Sequence, residues 1–150
     1  MSWRDNMQRE IKFRAWNIYC NEFHNEEKYT PSIDIILIDQ NGGIRYFYDD
    51  KNGSGLSEVD KGQYVIQQCT SVKDKNGLNY IYEGDIITDG FGNDFEIIFK
   101  NGCFGFEVES IFDDVINFVN FAKLVAIGNK EGSINYEIIG NIFENPNLLK

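Results

Sequence analysis

The sequence predicts a mainly β protein built of antiparallel hairpins with one short helix, and three observations carry that prediction. Asn41-Gly42-Gly43, Asn76-Gly77 and Asn101-Gly102 each separate two runs of β-branched and aromatic residues, and Asn-Gly supplies the consecutive positive φ values that a two-residue hairpin needs. Aromatic residues make up 15% of the chain, with twelve Phe and eight Tyr, and only two Pro interrupt it, so ring packing on pleated faces can supply much of a core. Side chains alternate in stretches such as Phe104, Phe106 and Val108, which share one face of a strand. A chain of 150 residues with 42% hydrophobic content buries roughly two thirds of its unfolded surface, enough for one core without metal or disulfide.

Arg9 to Trp16 places Ile11, Phe13 and Ala15 on one face and Lys12, Arg14 and Trp16 on the other, the period of a half-buried strand. Ile33 to Asp39, the Asn41-Gly42-Gly43 turn and Ile44 to Tyr48 form a first hairpin. Residues 50 to 62, with three Gly, two Ser and mixed charges, read as the loop that ends an N-terminal lobe. Tyr64 to Val72 turns at Asn76-Gly77 into Tyr80 to Thr88, which is interrupted at Glu83-Gly84-Asp85. Asp94 to Phe99 and Cys103 to Glu109 flank Asn101-Gly102 as a further hairpin. From Ser110 the spacing of Ile111, Val115, Phe118 and Ala122 predicts a helix, with Ser110 as its cap, Asp113 and Asp114 at its positive end and Lys123 at its negative end. Ile134 to Phe143 returns to strand, and Asn145-Pro146 starts a terminal helical turn. The expected division is 1–8 as an extension, 9–62 as an N-terminal β lobe and 63–150 as a second unit.

The formal charge is −10; residues 1–82 carry twelve acids against ten bases and residues 83–150 twelve against four. Such a surface repels phosphate backbones and anionic lipid, so neither nucleic acid nor membrane is an expected partner. Cys20, Cys69 and Cys103 are widely spaced and odd in number, which suits reduced thiols better than a disulfide framework or a zinc site. No apolar leader and no window of eighteen apolar residues is present, and the expected location is cytoplasm. Asn52-Gly53-Ser54 fits a glycosylation sequon by accident.

Three blocks, Arg9-Glu-Ile-Lys-Phe-Arg-Ala-Trp16, then Lys73-Asp-Lys-Asn-Gly77 leading into Ile81-Tyr-Glu-Gly-Asp-Ile-Ile87, and Ile138-Ile-Gly-Asn-Ile-Phe-Glu-Asn-Pro146, resemble the YopX-like family of phage and prophage proteins in order and spacing. The resemblance implies a small SH3-like barrel in the C-terminal part, on which the N-terminal lobe packs, and a phage origin with residence in the cytoplasm of a bacterial host. It implies no biochemical activity. One departure is structural: Cys69-Thr-Ser-Val stands where the family tends to have Tyr-Thr-Gly-Leu, and Ser71 takes positive φ less readily than Gly.

Candidate functional residues are few. Glu83 and Asp85 bracket Gly84 and admit an acid pair or a cation site, against the plainer reading of a turn held by its own carboxylates. Tyr82 precedes them. Trp16, ending a strand that carries Lys12 and Arg14, is a candidate anchor for a partner or else a core-edge residue. His24, the single histidine, follows Cys20 by four residues without a third close-spaced ligand. No phosphate-binding glycine loop and no nucleophile elbow occurs. The expectation is therefore no catalytic residue, metal or cofactor, and a non-enzymatic module that binds a host or phage protein or copies of itself, as a homo-oligomer. Two alternatives are weighed beside it: an acidic decoy that mimics DNA, and a hydrolase using Glu83, Asp85 and perhaps His24.

Overall fold

A computed structural model describes residues 11–23, 35–38, 41, 43–50, 52–58, 62–110, 115–125 and 132–149. The fold is mainly β and antiparallel, with one short helix and a curled half-barrel sheet. Two compact units divide the chain, one of Arg14–Ile66 and one of Gln67–Lys150 with Met1–Phe13.

In the first unit β1 (Phe13–Asn17) pairs with β2 (Glu22–Phe23), setting Trp16 opposite Phe23. The burial of β1 does not follow the expected alternation. Ala15, Trp16 and Asn17 are buried in succession, while Ile11 and Phe13 are exposed. Asn17 is inside because its side chain closes the next turn: Oδ1 accepts from the N–H groups of Tyr19 and Cys20, and Nδ2 donates to Tyr64 Oη, which satisfies a polar group that would otherwise be costly to bury. A three-stranded sheet follows, β3 (Ile35–Ile38), β4 (Ile44–Asp50) and β5 (Gly53–Glu58), in the order β3-β4-β5. Here the expected loop over 50–62 is corrected. Asp50 pairs with Gly53, so Gly53–Glu58 runs back along β4 as a strand in spite of its Gly and Ser content.

β6 (Tyr64–Lys73) begins in the first unit and passes into the second at Gln67; the second unit also contains β7 (Tyr80–Tyr82), β8 (Asp85–Thr88), β9 (Asp94–Glu96), β10 (Ile98–Lys100), β11 (Cys103–Glu109), β12 (Ile116–Asn120), α1 (Phe121–Val125), β13 (Glu137–Asn141) and a 3-10 turn at Pro146–Leu149. β13-β8-β9 and β10-β11-β12 form two sheets joined at Ile97, where the strand bends. Ile97 N–H donates to Asp85 O and its carbonyl accepts from Gly84 N–H, which ties the link between β9 and β10 to the start of β8. The core of this unit is Ile81, Ile87, Ile97, Phe104, Phe106, Phe121 and Ile134, with Phe95 stacked on Phe106 at 4.5 Å and Tyr136 against both rings. Each buried apolar side chain of this size contributes about 1.5–3 kcal/mol.

The helix expected from Ile111 to Ala122 is corrected as well. Residues 111–114 lie outside the described set, but 116–120 form a strand paired with β11 from Glu109↔Ile116 to Gly105↔Asn120, and Ser110 N–H donates to Val115 O. Val115, Ile116 and Val119 are β-branched, and the open face of β11 offers them a complete ladder; tertiary pairing overrides the helical spacing. The helix is only Phe121–Val125, capped by Asn120, whose Oδ1 accepts from Lys123 N–H.

Ser71 answers the question its sequence raises. It sits at φ 64° inside a register shift of β6 against β7, a bulge in which Thr70 Oγ1 donates to Ile81 O and accepts from Val72 N–H. The left-handed geometry is kept without glycine, at a cost of about 1–2 kcal/mol for an L residue.

Candidate functional site

Asp85 is buried at the start of β8. Its Oδ2 accepts from Tyr82 N–H at 2.7 Å and its Oδ1 from Asn141 Nδ2 at 3.3 Å. Asn141 Nδ2 also reaches Gln67 Oε1 at 3.2 Å, so Gln67, Asp85 and Asn141, each 2% exposed, form one hydrogen-bonded cluster tying β6, β8 and β13. Such a cluster is stable only when its members are satisfied. Gly84 lies against it at φ 77°, and a Cβ there would overlap the Gln67 amide; both backbone and space demand glycine. Tyr82 and Glu83 are half-buried. Glu83 donates its N–H to Gln68 O, and its carboxylate stands near Glu96. Burial first, and then that neighbouring charge, raises the Glu96 carboxyl above its usual range.

Trp16 is 4% exposed and meets Phe23 edge to face at 5.0 Å, with the Arg14 guanidinium over the Phe23 ring. Its indole is packed away from solvent. Tyr82, Glu83 and Asp85 come together in one turn; Trp16 belongs to the other unit. His24 lies outside the described residues. Cys20 is exposed, Cys69 buried and Cys103 intermediate, all as free thiols. Among the described residues no group of three or more His, Cys, Asp and Glu side chains is placed to hold a metal ion, and no helix is long and apolar enough to cross a membrane.

A different surface offers room for a ligand. Val72, Phe99, Phe104, Phe121, Ala122 and Val125, with Gln68, Thr70, Gly102 and Cys103, line an open groove of about 550 Å³ between β6, the β10–β11 hairpin and α1. Concave, mainly apolar surfaces of this size with a few polar groups are what polypeptide and small-molecule sites look like. Phe99 is half out of the fold at 54% exposure and stands edge to face on Phe104 at 5.0 Å. The hairpin that carries it turns through Asn101 (φ 54°) and Gly102 (φ 80°), a pair of left-handed residues that closes it tightly. Of the ten lining residues only Cys103 has a titratable side chain, which suits binding rather than proton transfer.

Sequence reading passed over this groove because its residues come from three separate segments, 68–72, 99–104 and 121–125. It also passed over Phe91, which is 91% exposed at the tip of the β8–β9 hairpin. The signal there was local: an aromatic residue between two glycines, Asp89-Gly-Phe-Gly-Asn93.

The model of the YopX protein family matches residues 12–150. The chain belongs to the YopX family. Among solved structures, protein EF1440 from Enterococcus faecalis is similar at 27% identity, over 94% of this YopX-family chain and 99% of that one, with a TM-score of 0.55. Protein yopX from Bacillus subtilis is similar at 19% identity over 92% and 97% of the two chains, with a TM-score of 0.52, a likeness of fold alone. No curated protein matches. The matched span takes in the Gly84 turn and all ten groove residues of this YopX-family member.

Proposed function

We propose that this YopX-family chain is a non-enzymatic protein-binding module, phage-encoded and acting in the cytoplasm of a bacterial host, that takes an apolar segment of polypeptide into the groove between β6, the β10–β11 hairpin and α1. The observation that carries this reading is the groove itself, with three Phe rings and no charged side chain among its ten lining residues. Phe99, at 54% exposure, presents contact area at little ordering cost, while Phe104 and Phe121 are buried and form the groove floor; a ring held this way is how interface anchors gain affinity. The hydrolase alternative finds less support, because both oxygens of Asp85 are occupied by Tyr82 N–H and Asn141. The decoy alternative, which rests on the carboxylates of residues 83 to 144, loses Asp85, which is buried and accepts from Tyr82 N–H.

Ala122→Glu puts a carboxylate into the groove from an exposed helical position and tests the reading. Immobilised wild type and A122E are each exposed to bacterial lysate, with and without nuclease. A protein retained by wild type, resistant to nuclease and lost with A122E supports the proposal; identical retention by both forms, or retention that nuclease abolishes, overturns it.

A further inference from the structure

A second concave site shares no residue with the groove and lies beside the β8–β9 hairpin, where Asp89, Phe91, Leu124, Asn135 and Tyr136 line about 320 Å³ of open space. Its hairpin side is held by the loop's own bonds. Asp89 Oδ1 accepts from Phe91 N–H at 2.8 Å and Asn93 N–H at 3.2 Å, its Oδ2 accepts from Asn93 Nδ2 at 2.6 Å, and Gly90 N–H donates to Thr88 Oγ1. The Asn93 side chain and then the Phe91 N–H hold the Asp89 carboxyl below its usual range, so it is an anion at neutral pH. Tyr136, on another wall, rests against Phe95 and Phe106. Burial first, and then the Asp89 charge, raises its hydroxyl above the usual range, which leaves a neutral phenol within the field of that carboxylate.

The lining sets the chemistry of a ligand. It holds one anion, two aromatic rings, one aliphatic side chain and one amide, and no base. No base occurs in the sequence between Asp85 and Phe99, and Lys123, which precedes Leu124, is not part of the lining. The complementary ligand is therefore a cation. A metal ion does not suit the site, since hard cations need a set of oxygen ligands and no group of three or more His, Cys, Asp and Glu among the described residues is placed to hold one. Primary ammonium and guanidinium groups gain most from open acceptors, whereas the Asp89 oxygens already take three N–H donors from their own loop. A methylated ammonium brings charge without donors, and ring faces with a nearby anion satisfy it. Phe91 is 91% exposed, so its ring gains burial on such a ligand, and the bonded loop that carries it lowers the ordering cost. We propose that this pocket binds a trimethylammonium headgroup, caged between the Phe91 and Tyr136 rings with Asp89 as its counter-charge.

The test titrates the full chain with choline at constant ionic strength and follows the amide NMR signals of Gly90, Phe91 and Gly92. Its control is the uncharged isostere of choline in which carbon replaces nitrogen. Choline is expected to shift those signals saturably, and the isostere to bind roughly tenfold more weakly or not at all. Phe91→Leu keeps apolar bulk without a ring and is expected to lose a similar factor, while Phe91→Trp keeps a ring face and binds at least as tightly. Removing the Asp89 charge by substitution would also disturb the loop, so the charge is tested on wild type by raising the salt, which is expected to weaken choline binding. The amide of N-acetyl-trimethyllysine carries the same headgroup on a peptide stem. Tighter binding than choline assigns the headgroup to a methylated lysine of a protein, and weaker binding to a free small molecule. The absence of a saturable choline shift overturns the proposal, as does equal binding of the isostere or F91L binding choline like wild type.

Discussion

The two ends of β8 carry turns built from the same residue types, and they have opposite fates. At one end Glu83-Gly84-Asp85 is pressed into the interior, with Gly84 at φ 77° against the Gln67 amide and Asp85 inside a cluster with Asn141. At the other, Asp89-Gly90-Phe91-Gly92 stands in water with Gly90 at φ 79° and nothing within 4 Å of where its Cβ would be. In both a carboxylate binds backbone N–H groups, so the local chemistry is shared. What differs is the surrounding packing. An acid-glycine turn is a structural lock where other elements converge on it, and a presentation device where none does.

Substituting alanine at the two glycines separates these roles most sharply. Gly84→Ala is expected to destabilise by about 3 kcal/mol or more, because it combines left-handed strain with overpacking against a buried amide. Gly90→Ala, with nearly the same φ and open space, is expected to cost only about 1–2 kcal/mol. Urea denaturation midpoints measure both; equal losses would show that backbone strain alone governs the two sites. Next in size, Asp85→Ala is expected to cost about 2–3 kcal/mol by leaving the buried Tyr82 N–H and Asn141 amide without their acceptor, and a smaller loss would mean that water replaces the carboxylate.

Ser71→Gly works in the other direction. It relieves a left-handed Ser in the β6 bulge and is expected to stabilise by about 1 kcal/mol, read as a higher midpoint at unchanged slope. A smaller effect is expected from pH. Burial and Glu83 raise Glu96 above 4.5, so the folded state holds its proton more tightly than the unfolded chain. The penalty for ionising Glu96 therefore grows as pH rises from the unfolded value through the folded one, and is complete at neutral pH. Glu96→Gln is expected to raise stability at pH 7 and to change nothing below about pH 4. Asp74 has the opposite sign: burial acts to raise it, but the Asn79 side chain and the N–H groups of Asn79 and Leu78 hold it below 3.8, so its contribution is present above that value and lost as pH falls through the folded one. Smallest of all, Phe91→Ala is expected to shift the midpoint by no more than about 0.5 kcal/mol, as for any surface position. A large loss of stability would make Phe91 a structural residue after all.

Much of this was legible in local sequence. The hairpins at Asn76-Gly77 and Asn101-Gly102 and the inward face of Phe104, Phe106 and Val108 follow from turn chemistry and period-two alternation, both of which act within a few residues. The β5 strand was misread because its Gly and Ser content resembles a loop; its pairing to β4 depends on backbone rather than on side chains. The segment before α1 was misread because β-branched residues fit either spacing, and only the open edge of β11 settles the choice. The positive φ of Ser71 was flagged by the sequence as a difficulty, and the fold meets it with a bulge.

By itself the sequence determined the class of fold, the family, and which turns close, since each depends on the intrinsic φ preferences and alternation of neighbouring residues. Only the tertiary structure decided that Trp16 is buried, that Asp85 belongs to a cluster with Gln67 and Asn141, and that Phe91 is exposed while Phe99, Phe104 and Phe121 meet around a groove. The cluster depends on residues up to 74 positions apart reaching one place, and burial is a property of what surrounds a side chain, which a residue's own chemistry does not encode.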